Sequence, residues 1–247
     1  MRTVTETIEL QASDGPMEAV VVRPADGARH PAVVMVHGAP GLDAGTLRMA
    51  EDLAGEGFVV LAPDMFYRTG RRQVVQPGWA IERRDAMQDG KSNASDITDI
   101  QIVVDHLVRQ PYVRAGGAGI TGFCMGGRIS YLAAARVRGI GAAVMHYPTA
   151  LVTPDRRDAG SQAPVDFANE VRVPILGFFP TLDLKHCSPE IVARVRKAFA
   201  EGSVRGEVVT VEGAHHGFLD PTSKVYHPTE APKAWARMVG FFREHLG

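Results

Sequence analysis

The 247-residue chain holds two cysteines, and one of them stands in a pattern that can do chemistry. Gly122-Phe123-Cys124-Met125-Gly126 sets a thiol between glycines two residues to either side. That is the spacing of a nucleophile on a sharp strand-to-helix turn, with Cys in place of the usual Ser. A thiol there meets a helix N-terminus, whose dipole and free amides favour the thiolate. The same glycines also fit a phosphate-binding loop or tight strand–helix packing. Two later segments offer the groups such a nucleophile needs. Pro180-Thr181-Leu182-Asp183 carries a carboxylate, and Glu212-Gly213-Ala214-His215-His216-Gly217-Phe218 carries imidazoles. Taken singly, each reads as a turn residue or a surface histidine. Taken together, nucleophile, acid and histidine follow one another in the chain order of a hydrolytic triad. His37-Gly38-Ala39-Pro40-Gly41 supplies a fourth part. An oxyanion hole needs two preorganised N–H donors, and the amides of Ala39 and Met125 are the expected pair.

These groups need elements to position them. Thr3–Leu10 and Met17–Arg23 alternate around Ser13-Asp14-Gly15-Pro16 and read as strand, turn and strand. The apolar runs 31–36 and 58–62 read as buried parallel strands. Further strands are expected at 118–121, 141–147, 173–179 and 205–211. Helices are expected at 47–55, at 96–110 with Asn93 or Ser95 as cap, at 124–138, from Ser188 to Gly202, and at 232–246. Residues 66–93 are polar and yield no firm element, and residues 148–172 read as a cap or lid excursion. Alternating strands and helices with no linker between them predict one domain over 1–247, with a mostly parallel central sheet covered by helices on both faces. In such a sheet ligands bind at the carboxyl ends of the strands, which is where each reactive segment falls.

At this point the sequence resembles the dienelactone hydrolase family of the α/β-hydrolase fold over nearly its whole length. The resemblance is carried by Val59-Val-Leu-Ala-Pro-Asp-Met-Phe66, Gly122-Phe-Cys-Met-Gly-Gly127, Thr181-Leu-Asp183 and Ala214-His-His-Gly-Phe218. It implies Cys124 as nucleophile, Asp183 as acid and His216 as base. His216 is preferred to His215 because the family's histidine lies two residues before the aromatic, here Phe218. Two positions depart from the family: Gly38 stands where a glutamate interacts with the thiol, and Asp220 stands where an arginine holds the substrate carboxylate. Both count against dienelactone itself as the substrate. Arg83 or Arg84 matches a further family arginine, although each also reads as a solvated helix charge. The implied reaction is cleavage of an ester or lactone through a thioester on Cys124, without a cofactor. The alternatives are a thioesterase or acyltransferase on the same fold, or a non-catalytic redox-responsive protein with a Cys124–Cys187 bridge.

Tyr67, Phe123 and Tyr147, with Trp79, adjoin strand ends and are expected to shape a substrate pocket. His146 lies near one too, but alternation could turn it into the core. His186 and Cys187 lie close to Asp183. With His215 they show no recognised metal-ligand spacing, so no metal is expected. Composition bounds the rest. A net charge of −1 gives no electrostatic footprint for nucleic acid or an anionic membrane. Two cysteines make no disulfide framework. No apolar leader or spanning run is seen, which makes a reducing cytoplasm the expected location. A small organic ester or lactone held in a pocket is the expected partner.

Overall fold

The computed structural model describes the chain apart from residues 77–78 and 156–159 and the side chains of Ile81 and Arg84. Among the described residues eight strands form one sheet in the order β1-β2-β4-β3-β5-β6-β7-β8. β1 (Thr3–Ala12) and β2 (Gly15–Pro24) are an antiparallel hairpin turning at Ser13-Asp14, and β2 runs antiparallel to β4 (Val59–Pro63). All the other neighbours are parallel: β3 (Ala32–Val36), β5 (Ala118–Phe123), β6 (Ile140–His146), β7 (Ile175–Pro180) and β8 (Gly206–Val211). Every residue of β3, β4 and β5 is buried, as the unbroken apolar runs require of strands covered on both faces. This is the α/β-hydrolase fold, a mixed and mostly parallel sheet with helices packed on it.

Two helices, α1 (Ala44–Gly55) and α3 (Asn93–Leu107), begin earlier than apolar periodicity indicates, because capping residues and buried polar side chains start them. α1 is capped by Asp43, whose carboxylate accepts from the Thr46 N–H at 2.9 Å. α3 opens on a capping box between Ser92 and Ser95. Its inward face carries Asn93, Asp96 and Asp99 beside Ile100 and Leu107, which disguised its first turn as polar. A short α2 (Ile81–Ala86) lies in the segment without a predicted element. α4 (Met125–Arg136) begins one residue after Cys124, α5 (Pro189–Glu201) has Ser188 as cap, and α6 (Glu230–Leu246) closes the chain. Within 148–172, a 3-10 helix at Pro164–Glu170 packs against α4 and α5. Val239 and Phe242 of α6 are buried as expected, whereas Trp235 and Leu246 are half-buried at its margin. No helix among the described residues is long and apolar enough to cross a membrane.

α4 carries Cys124 at its head, and a buried ionic cluster fixes it to α3. Arg128 donates to Asn93 Oδ1 at 2.8 Å and to Asp96 Oδ2 at 3.1 Å, and Asp155 lies 3.7 Å from the guanidinium. Lys91 pairs with the other oxygen of Asp96. Lys91 is 2% and Asp96 0% exposed. Two cations and two carboxylates therefore balance in a dry setting, and losing one partner strands a buried charge. Asp96→Ala is expected to lower the unfolding free energy by about 3–5 kcal/mol, read from urea denaturation. A loss below about 1 kcal/mol would show that the cluster does not hold α4.

Candidate active site

The turn between β5 and α4 places Cys124 at φ 58°, ψ −114°, a left-handed conformation that costs a side chain energy and needs surrounding restraint. The restraint is visible. The Cys124 N–H donates to the His146 carbonyl at 3.1 Å, and the Cys124 carbonyl accepts from Thr149 and Gly127 N–H, each at 3.1 Å. The flanking glycines are required by contact. A Cβ on Gly122 would lie 2.3 Å from the Gly126 carbonyl oxygen, and one on Gly126 would lie 2.2 Å from the Val36 oxygen. The end of β3 is thereby brought against the first turn of α4. The amides of Ala39 and Met125 both approach the Cys124 sulfur closely enough to lower its pKa.

His37, which carried no expected role, orients one of these amides. Its Nε2 accepts from the Met65 N–H at 3.0 Å, so its Nδ1–H donates to the Gly38 carbonyl at 2.7 Å. The Gly38–Ala39 peptide is trans, so fixing its carbonyl on one side turns its N–H to the other, toward Cys124. Burial lowers the His37 pKa to about 4, which keeps the ring neutral in this role. The only sequence signal was a histidine followed by glycine at a strand end.

The strand ends of β7 and β8 bring the other two groups to Cys124. Leu182 N–H donates to the Ala214 carbonyl at 2.9 Å, and Gly213 N–H donates to Thr181 Oγ1 at 3.0 Å, tying the two loops together. His216 Nδ1 then donates to Asp183 Oδ2 at 2.5 Å, and His216 lies close enough to Cys124 for each to shift the other's pKa. Asp183 Oδ1 accepts the His186 N–H at 3.2 Å. Phe218, fully buried against Tyr147 at 5.7 Å between ring centres, anchors the histidine loop.

Electrostatics follow from these contacts. Burial alone would push the Cys124 thiol up, but the hydrogen bond and charge of His216, with the two amides, outweigh it and the pKa falls below its usual value. Burial alone would lower His216, but hydrogen bonds to Asp183 and Cys124 and their charges raise it to about 9. Asp183 is opposed by burial and lowered by His216. Both shifts favour the thiolate–imidazolium form, and the pair titrates as a unit. Cys187, beside Asp183, is driven the other way: burial and the neighbouring carboxylate hold it as a thiol.

A cavity of about 280 Å³ opens over Cys124 and His216. Of the side chains expected to shape a pocket, Phe123 and Tyr147 line it. Tyr67 does not: its hydroxyl donates to Asp99 at 3.0 Å, away from the cavity. Arg83 is exposed and stacked on Trp79 at 3.7 Å, and it does not line the cavity either. The side chain of Arg84 lies outside the described residues. His146 is a core residue, stacked between Phe123 and Phe178 with its pKa lowered by burial to about 3. His215 is exposed, and His186 is half-buried with its ring 5.4 Å from that of His216. Asp43, Asp220, Thr46 and Met49 also line the cavity. Of these, sequence reasoning had noted only Asp220.

Residues 17–246 match the Dienelactone hydrolase family. The chain belongs to the dienelactone hydrolase family. It is a hydrolase of the carboxylic-ester and lactone class. An Escherichia coli O157:H7 protein named "Putative carboxymethylenebutenolidase" is 29% identical over 222 residues, covering 88% of this chain and 78% of its own. A Bradyrhizobium protein named "Probable 2-oxo-3-(5-oxofuran-2-ylidene)propanoate lactonase" is 28% identical over 232 residues, covering 92% of this chain and 89% of its own. Among solved structures, a "Putative Dienelactone Hydrolase" from Klebsiella pneumoniae superposes with a TM-score of 0.89 at 25% identity, covering 99% of this chain and all of its own. Where the family resemblance places a glutamate, this dienelactone hydrolase family member has Gly38. A Cβ there would lie 3.3 Å from the Cys124 Cβ and the Phe123 oxygen, so the position is already tight.

The ion pair yields a direct expectation. Thiolate absorbance at 240 nm is expected to be present at neutral pH in the native protein. In His216→Ala the group that lowers the thiol pKa is gone and burial remains, so the thiolate is expected to appear only above about pH 9. An unchanged titration would show that His216 does not stabilise the thiolate.

Proposed function

We propose that this family member cleaves an ester or lactone through a Cys124–His216–Asp183 triad and a thioester intermediate. The observation that supports this most is convergence on one atom. The Cys124 sulfur is approached at once by His216 and by the amides of Ala39 and Met125, each of which lowers its pKa, while His216 is held by Asp183. The sulfur attacks the carbonyl carbon, and the oxygen that becomes negative takes the Ala39 and Met125 N–H groups. On collapse the C–O bond breaks, and the leaving alkoxide takes the His216 proton. The neutral imidazole then removes a proton from water, hydroxide adds to the thioester, and the Cys124 thiolate departs. Asp183 keeps the proton-bearing Nδ1 turned away from the sulfur and stabilises the imidazolium. For a lactone the leaving alkoxide stays tethered to the acyl group and becomes the hydroxyl end of a hydroxy acid. The family and the lactonase relative support an ester or lactone as the bond class.

Cys124→Ala is expected to reduce kcat/KM for a simple lactone and for p-nitrophenyl acetate by at least about a thousandfold. Undiminished turnover would remove Cys124 from the reaction. The pH profile carries a second expectation. Below the lowered thiol pKa the nucleophile is protonated, and above about 9 His216 has lost the proton that the leaving group needs. Activity on a lactone or alkyl ester should therefore fall on both sides, with an alkaline limb near 9. p-Nitrophenyl esters, whose leaving group needs no proton, should show a much weaker alkaline limb. Equal alkaline limbs for both leaving groups would contradict His216 as the proton donor.

A further inference from the structure

We propose that Asp43 and Asp220 make the cavity beside Cys124 a cation-accepting subsite, so that the ester cleaved there carries an ammonium group in the part lodged against them. As a statement about substrate this rests on the hydrolase reading; as a statement about the cavity it does not. Both carboxylates line the same small cavity as Cys124 and His216, and among the described residues no lysine or arginine lines it. Each is half committed. Asp43 Oδ1 accepts the Thr46 N–H at 2.9 Å, and Asp220 Oδ1 accepts the Thr222 N–H and hydroxyl, each at 2.8 Å. No hydrogen bond to the second oxygen of either group is found among the described residues.

The N-terminus of α1 would otherwise be the anion-attracting feature of this wall. It is filled by these carboxylates: Asp43 is its cap, and a Cβ on Gly45 would lie 2.6 Å from Asp220 Oδ1. The helix end offsets about half a charge. With thiolate and imidazolium cancelling, the lining keeps a negative balance of more than one unit, in a cavity at the small end of ligand sites.

A second observation points to a ligand. Tyr147 is only 3% exposed, lines this cavity, and its hydroxyl has no hydrogen-bond partner among the described residues. Burial, then Cys124, Asp220 and Asp43, hold it protonated. The hydroxyl is not sealed off but opens to the cavity, where a bound group can take its hydrogen bond. Its ring, with that of Phe123, also offers the cavity aromatic surface of the kind that receives alkylammonium groups. A substrate carboxylate placed here would face two negative charges, with no lysine or arginine among the described lining residues to offset them.

Two readouts test the subsite in the full chain. One is hydrolysis of acetate esters of choline, 3,3-dimethylbutanol and 3-hydroxypropionate, matched in length and differing in charge. The other is the rate at which Cys124 is modified by methanethiosulfonates bearing trimethylammonioethyl, hydroxyethyl or sulfonatoethyl groups. The thiolate takes the thio fragment and methanesulfinate leaves, so no turnover is needed. The expected order is cation, neutral, anion, with cation over anion by about a hundredfold, or about tenfold per carboxylate. In the Asp43→Asn/Asp220→Asn protein this ratio should fall at least tenfold by both readouts. Asn keeps the accepting oxygen that each position uses, and each single variant should give part of the fall if the double variant folds poorly. A ratio unchanged by the substitutions, or an anionic reagent as fast as the cationic one, would overturn the subsite. Charge-selective labelling without hydrolysis of any ester would sink the hydrolase reading and leave the subsite standing. Charge-blind labelling with normal hydrolysis would do the reverse.

Discussion

The close approach of β3, β5 and the first turn of α4 is the constraint on which the rest of the site depends. Gly126 lies so near the Val36 carbonyl, and Gly122 so near Gly126, that a single methyl at either place would have no room. Only because of that contact do the amides of Ala39 and Met125, from loops far apart in sequence, converge on one sulfur. The left-handed backbone at Cys124 is held by the same arrangement, through the His146 carbonyl behind it and the Thr149 amide beyond it. The buried Arg128–Asp96 cluster keeps α4 from sliding out of that contact, and His37 keeps the Gly38–Ala39 peptide facing it. Backbone strain, helix packing and an apparently idle buried histidine thus serve one geometry.

Charge is then arranged around the sulfur in two regimes. Behind it, Asp183 and His216 are buried enough for a single hydrogen-bonded pair to outweigh desolvation, and the histidine is raised while the thiol is lowered. In front of it, Asp43 and Asp220 are half-exposed and project a field into the cavity. In the proposed reaction the first regime activates the nucleophile. The second selects which molecule reaches it. Family membership fixes the class of bond and not the substrate, which is why the substrate has to be argued from the cavity itself.

Much of this was legible in the sequence, and the limits of legibility have physical causes. β3, β4 and β5 could be read because central parallel strands are apolar throughout. The elbow, Asp183 and His216 could be read because the turn demands glycines and the loops follow strand ends. The first turn of α3 could not, because Asn93, Asp96 and Asp99 are buried polar residues whose partners, Arg128 among them, are distant in the chain. Tyr67 adjoins a strand end as expected, yet its hydroxyl is drawn to Asp99, a pairing that no local pattern reveals. The stacking of Arg83 on Trp79 is local, but the sequence does not say that the pair points away from the cavity. Asp43 is an ordinary helix cap by pattern, and only the fold places it in the same cavity as Cys124.

The central claim is that Cys124, activated by His216, becomes acylated during turnover. Acid-quenching the protein during steady-state hydrolysis of an activated ester, followed by intact-mass and peptide mass spectrometry, reads this directly. The account predicts an acyl group on the peptide containing Cys124, released by hydroxylamine, and none on Cys187. An acyl group on another residue, or rapid turnover with no acylated protein while deacylation is made limiting, would contradict it.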